Sequence, residues 1–109
     1  MTTTEHVIHF LCRKDEVPDN EAKRVLIADH PPLAVFNLSG AYYVTDDKCT
    51  HGEASLCEGE IDGVLVECPF HQGAFDIRTG KPAGAPCSMP LKTYEVIMEG
   101  DGVCIRSGK

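Results

Sequence analysis

Short runs in which apolar and polar residues alternate, or in which β-branched residues cluster, recur along this chain with Gly, Pro, Asn or Asp between them. A period of two places alternate side chains on one face, so the pattern predicts strands. They fall at His6 to Cys12, Lys23 to Ala28, Ala34 to Leu38, Ala41 to Thr45, Val64 to Cys68, Leu91 to Met98 and Val103 to Arg106. Turn residues join several neighbours: Ser39-Gly40, Asp62-Gly63 and Gly100-Asp101-Gly102 predict antiparallel hairpins. No long segment keeps apolar residues at helical spacing, so helix is expected only as short pieces near Asp19 to Ala22 or Glu53 to Leu56. Residues 80 to 90 hold three prolines and two glycines and read as an ordered but irregular loop, a candidate lid. The expected class is all-β, one domain over residues 1–109, with no internal repeat or linker.

Composition agrees with an ordinary globular domain: 42% of the 109 residues are hydrophobic and 25% charged. A domain this small buries a modest share of its surface, so a cofactor tying loops together would add stability. No run approaches the roughly 18 apolar residues of a membrane span. Met1-Thr-Thr-Thr-Glu-His also lacks the basic and apolar segments of a signal peptide, which predicts a cytoplasmic protein with no membrane partner. In that compartment six cysteines point to reduced thiols and metal ligation rather than disulfides. The net charge of −7 is unevenly placed: residues 46–76 hold eight acids against the single base Lys48. Nucleic acid is excluded as an expected partner, because phosphate binding calls for clustered Lys and Arg.

The chemistry is carried by two matching segments, Cys49-Thr50-His51-Gly52 and Cys68-Pro69-Phe70-His71-Gln72-Gly73. Each offers one thiolate and one imidazole, most easily presented by a loop, with a glycine after each His to allow a tight backbone. A structural zinc site also uses two Cys and two His, but its usual spacing keeps the cysteines in one element and the histidines in another. Here each segment mixes the two. In a Rieske centre one iron takes both cysteines and the other both histidines, which suits two Cys-His loops facing each other.

Cys-x-His, sixteen residues and Cys-x-x-His is similar to the Rieske signature. The likeness extends through Cys-Pro-Phe-His-Gln-Gly-Ala-Phe-Asp at 68 to 76, the Thr79-Gly80 turn and the proline-bearing loop at 82 to 90. The chain resembles most the ferredoxin components of bacterial multicomponent aromatic-ring-hydroxylating dioxygenases. The resemblance implies an all-β Rieske fold of antiparallel sheets, with a base and a small cluster-binding subdomain over about residues 46–90. It implies one Rieske-type 2Fe-2S cluster, with Cys49 and Cys68 on the inner iron and His51 and His71 on an outer iron near the surface. Pro82, Pro86 and Pro90 would belong to a cover over the cluster. The implied role is single-electron transfer by a monomeric carrier, not itself an enzyme. Electrons would pass from an NAD(P)H-dependent flavin reductase to a terminal Rieske oxygenase. A small subunit of a reductase such as nitrite reductase is the alternative within the family, and a zinc-stabilised interaction module the alternative outside it. Relatives in respiratory and photosynthetic complexes carry a disulfide beside the cluster. Phe70 stands where one of its cysteines would be, and Cys57 lies too far along to be the other.

The remaining cysteines, Cys12, Cys57, Cys87 and Cys104, read as small apolar core residues. His6, His9 and His30 have no cysteine at ligand spacing and read as surface or turn residues. The acid excess is either a solvated surface or, since it coincides with the ligand segment, an attractor for a basic docking patch.

Overall fold

A computed structural model describes residues 6–28, 30–50, 54–69, 73–84 and 89–108. Among the described residues ten strands form two antiparallel sheets. The larger has the order β1 (His6–Arg13), β10 (Gly102–Gly108), β9 (Thr93–Glu99), β4 (Ala41–Asp46), β3 (Leu33–Leu38) and β2 (Glu21–Val25). The smaller is built from the chain between β4 and β9, in the order β5 (Ile61–Asp62), β6 (Leu65–Glu67), β7 (Ala74–Asp76) and β8 (Pro82–Gly84). Among the described residues, helix is limited to two 3-10 turns, Lys14–Glu16 and Leu56–Glu58. No helix among them is long and apolar enough to cross a membrane.

The expected hairpins form where turn residues supply left-handed backbone. Ser39 and Gly40 have φ of 55° and 94° between β3 and β4, Gly63 has 64° before β6, and Gly100 has 61° between β9 and β10. Three features differ from the expectation. The strand expected over Lys23 to Ala28 lies at Glu21–Val25, because Glu21 to Val25 pair with Asn37 to Leu33 while Leu26 is left largely exposed. The helical piece expected near Asp19 to Ala22 is instead the entry into β2, and the other forms slightly later, at Leu56–Glu58. The irregular loop expected over residues 80 to 90 begins with a strand, β8. Pro82 is accommodated there because β8 is an edge strand, where a missing N–H breaks no ladder.

β3 is the wall shared by two apolar clusters, which explains its unbroken run of buried residues. Leu33 and Val35 pack with Leu11, Val44, Val103 and Ile105 inside the larger sheet. Ala34 and Phe36 point the other way, onto Leu56, Val66, Phe75, Ile77 and Leu91. That second cluster joins the two sheets, and both Cys49 and Cys68 lie in it.

Candidate metal centre

The two Cys-bearing segments are hairpins of identical register. In the first, Lys48 bridges Ser55 and the Cys49 amide donates to the Ala54 carbonyl at 3.0 Å. In the second, Glu67 pairs with Ala74 and the Cys68 amide donates to the Gly73 carbonyl at 2.8 Å. Each cysteine is therefore the first residue inside its hairpin and opens a loop of the same length. Cys49 and Cys68 are 1% and 2% exposed, and both are packed in the cluster that holds Phe36 and Phe75. A cysteine binds metal as its thiolate, and an apolar site holds two thiolates only with a cation to take up their charge. Two buried thiols from two register-matched hairpins thus fit a metal group shared between the loops. His51 and His71, the other two expected ligands, lie outside the described residues, as do Gly52, Phe70 and Gln72.

Outside the hairpins, Cys12 and Cys104 are buried as expected, while Cys57 is half-buried against the inter-sheet cluster. Cys12, Cys57 and Cys104 take part in no disulfide, so Cys57 has no partner of the kind that flanks clusters in respiratory relatives. Burial pushes the Cys12 thiol up to about 11. Burial, and then its hydrogen bond to Asp47, push Cys57 above the ordinary thiol range. Both stay protonated at neutral pH. Among the described residues no three His, Cys, Asp or Glu side chains converge on a metal position, so these cysteines build no second centre there. Cys87 and Pro86 fall outside the described residues. Met89 accepts a hydrogen bond from Thr50 Oγ1 through its carbonyl at 2.9 Å, which ties Met89 to the first hairpin.

The acidic run divides into two kinds of residue. Asp47 is buried and ion-paired to Arg24 at 3.2 Å. Asp46 accepts from the Tyr94 hydroxyl at 2.6 Å, and the Asp76 carboxylate is held below its ordinary range by hydrogen bonds from Arg78. Glu58, Glu60, Asp62 and Glu67 are exposed. Sequence reasoning did not single out Asp47: a buried carboxylate in an acidic run looks no different from its solvated neighbours until its donors are seen.

An all-β frame carrying paired thiol hairpins at a buried junction is the architecture of a protein that holds a metal group between two loops. The Rieske 2Fe-2S domain model matches residues 7–95, and the chain belongs to that family, whose cofactor is a Rieske-type 2Fe-2S cluster. The chain is 43% identical over 99 residues to the ferredoxin component of the p-cumate 2,3-dioxygenase system of Pseudomonas putida, covering 90% of this chain and 84% of the relative. Its fold matches a Sphingomonas yanoikuyae B1 ferredoxin with a TM-score of 0.87 and 47% identity, over 90% of this chain and 96% of the other. It also matches, at TM-score 0.86 and 40% identity, a chain in a complex of reduced oxygenase and oxidized ferredoxin in carbazole 1,9a-dioxygenase, covering 91% of this chain and 92% of that one.

Proposed function

We propose that this chain is the ferredoxin of an aromatic-ring-hydroxylating dioxygenase system, a carrier rather than an enzyme. It takes single electrons from an NAD(P)H-dependent flavin reductase and delivers them to a terminal Rieske oxygenase in the cytoplasm. Residues 46–90 act as the cluster-binding subdomain, with Cys49, His51, Cys68 and His71 as ligands. The observation that carries the reading is the pair of register-matched hairpins that bring Cys49 and Cys68 into one buried cluster. The bound cluster supplies one-electron oxidation and reduction. The chain's part is to enclose the cysteine side in apolar packing and to present the hairpin tips, where the histidines lie in sequence, to a partner. Identity above 40% to a ferredoxin of a dioxygenase system, over most of both chains, favours the shuttle over a permanent reductase subunit.

The test is electron transfer by purified monomeric carrier between a ferredoxin reductase and a terminal oxygenase of this class, with EPR of the reduced protein. We expect a Rieske signal and turnover that depends on the carrier, both lost in His51→Ala and His71→Ala. A colourless protein, or an unchanged signal in His71→Ala, would overturn the ligand set.

A further inference from the structure

We propose that Asp47 is the positioning residue of the first cluster hairpin and supplies the support that the smaller sheet gives to the second. The inference rests on the ligand reading above and extends it to a residue outside the ligand set.

The two hairpins match in register but not in what holds them. The second lies between β6 and β7, with β5 and β8 paired on either side, so its stem is the centre of a four-stranded ladder. The first has a stem of one isolated bridge, Lys48 to Ser55, outside the named strands. A two-residue stem with no flanking strand is marginal by itself. What replaces the ladder is the side chain and backbone of Asp47. Its Oδ2 accepts from Ser55 Oγ at 2.6 Å and faces Arg24 Nε at 3.2 Å, and its Oδ1 accepts from the Cys57 amide at 3.0 Å. Its carbonyl accepts from the Leu56 amide at 2.7 Å, and its own amide donates to the Pro32 carbonyl at 3.0 Å.

These bonds run from both directions. Ser55, Leu56 and Cys57 are the returning arm of the hairpin, whereas Arg24 and Pro32 belong to the base, on β2 and just before β3. One buried carboxylate therefore closes the Cys49 hairpin and fastens it to the larger sheet. Burying a carboxylate is costly unless donors surround it, so this arrangement persists only as a complete set. Removing the charge leaves Arg24 without its counter-ion and the Ser55 hydroxyl and Cys57 amide with a single acceptor oxygen between them, while the second hairpin keeps its ladder. The effect is predicted to be local to one side of the cluster.

The experiment compares Asp47→Asn, Ser55→Ala and Arg24→Gln in the full chain, with Arg78→Ala as the control because its ion pair to Asp76 lies in the smaller sheet. Amide hydrogen exchange reads the hairpins directly. We expect the Leu56 and Cys57 amides of Asp47→Asn to lose protection on the order of tenfold, the effect of one charge-assisted hydrogen bond, while the Cys68 amide keeps its protection. In loaded protein the same variant should lose its cluster to a chelator several times faster than wild type and show shifted EPR g-values. Arg78→Ala should do neither. If Asp47→Asn does not fold, Ser55→Ala and Arg24→Gln carry the same comparison with smaller shifts. Equal loss of protection in both hairpins would overturn the inference, since that is general destabilisation, and so would no change in either. A wild-type protein without a Rieske signal would instead sink the ligand reading and leave the exchange comparison standing.

Discussion

Several titratable side chains are held in their neutral forms by the fold, and this sets how stability responds to pH. Cys12, 1% exposed on β1, has its thiol raised from 9.0 to about 11, first by burial and then by the charge of Glu16. Cys57, Tyr94 and Cys104 are raised too, in each case first by burial. For such a group the unfolded chain releases its proton before the folded one does. Above the unfolded value the native state binds more protons, so unfolding free energy falls as pH rises. The stabilisation from Cys12 is fully present below pH 9 and is lost as pH rises through about 11, by about 3 kcal/mol at most. We expect a flat urea midpoint from pH 7 to 8.5 and a steep decline beyond 9. Cys12→Ser should shallow that decline without altering the cluster spectrum. A midpoint constant to pH 11 would show that these thiols are not sequestered.

At the scale of elements, Gly80 sits where the smaller sheet turns back toward the base. Gly80 has φ of 79°, and a Cβ there would run into the Leu91 carbonyl. Its amide donates to Asp76 O at 2.7 Å and its carbonyl accepts from the Leu91 amide at 2.8 Å, joining the β7–β8 turn to the lead into β9. Gly80→Ala should cost about 2 kcal/mol or more by combining left-handed strain with a backbone clash. Gly63→Ala, equally left-handed but facing open space, should cost less. Equal losses in the two variants would remove the argument from the close approach. The same sheet marks the limit of what was legible in the sequence. β1, β3, β4, β9 and β10 announce themselves through alternation or continuous apolar runs. β5, β7 and β8 are two or three residues long and exist only because a neighbour pairs with them, so no local period reveals them. Leu26 looked like the middle of a strand, but pairing with β3 draws in the polar Glu21 instead. Cys49 and Cys68 were legible because each sits beside a His at short spacing. Asp47 was not, because its role is defined by donors on the returning arm of its own hairpin and on β2, and by burial that an acidic run conceals.

For the whole molecule, folding redistributes the charge seen in the sequence. Of the eight acids in residues 46–76, Asp46, Asp47 and Asp76 are engaged by Tyr94, Arg24 and Arg78, and Glu53 lies outside the described residues. Of the four exposed ones, Glu60, Asp62 and Glu67 lie on or next to the β5–β6 hairpin, and Glu58 ends the 3-10 turn that precedes it. The Glu67 amide donates to the Glu60 carbonyl at 2.9 Å, which sets an exposed carboxylate at the end of β6 beside another just before β5. Like charges in such positions destabilise a ladder, and Glu67 is the residue immediately before Cys68. A negative face beginning at the ligand hairpin would steer a partner that carries a basic patch and raise the rate of encounter more than the strength of the complex. Screening tests this directly, since the reach of these charges falls from about 30 Å at about 0.01 M salt to about 8 Å at physiological ionic strength. Electron delivery to the oxygenase, measured as kcat/KM for the carrier, should therefore fall as salt rises. Glu60→Lys and Glu67→Lys should lower the low-salt rate and flatten the salt dependence. Their reduced spectra should stay native, because both side chains are exposed whereas Cys68 is buried. A rate indifferent to salt, or one that responds identically in wild type and both variants, would mean that the acidic hairpin is solvated surface with no part in docking.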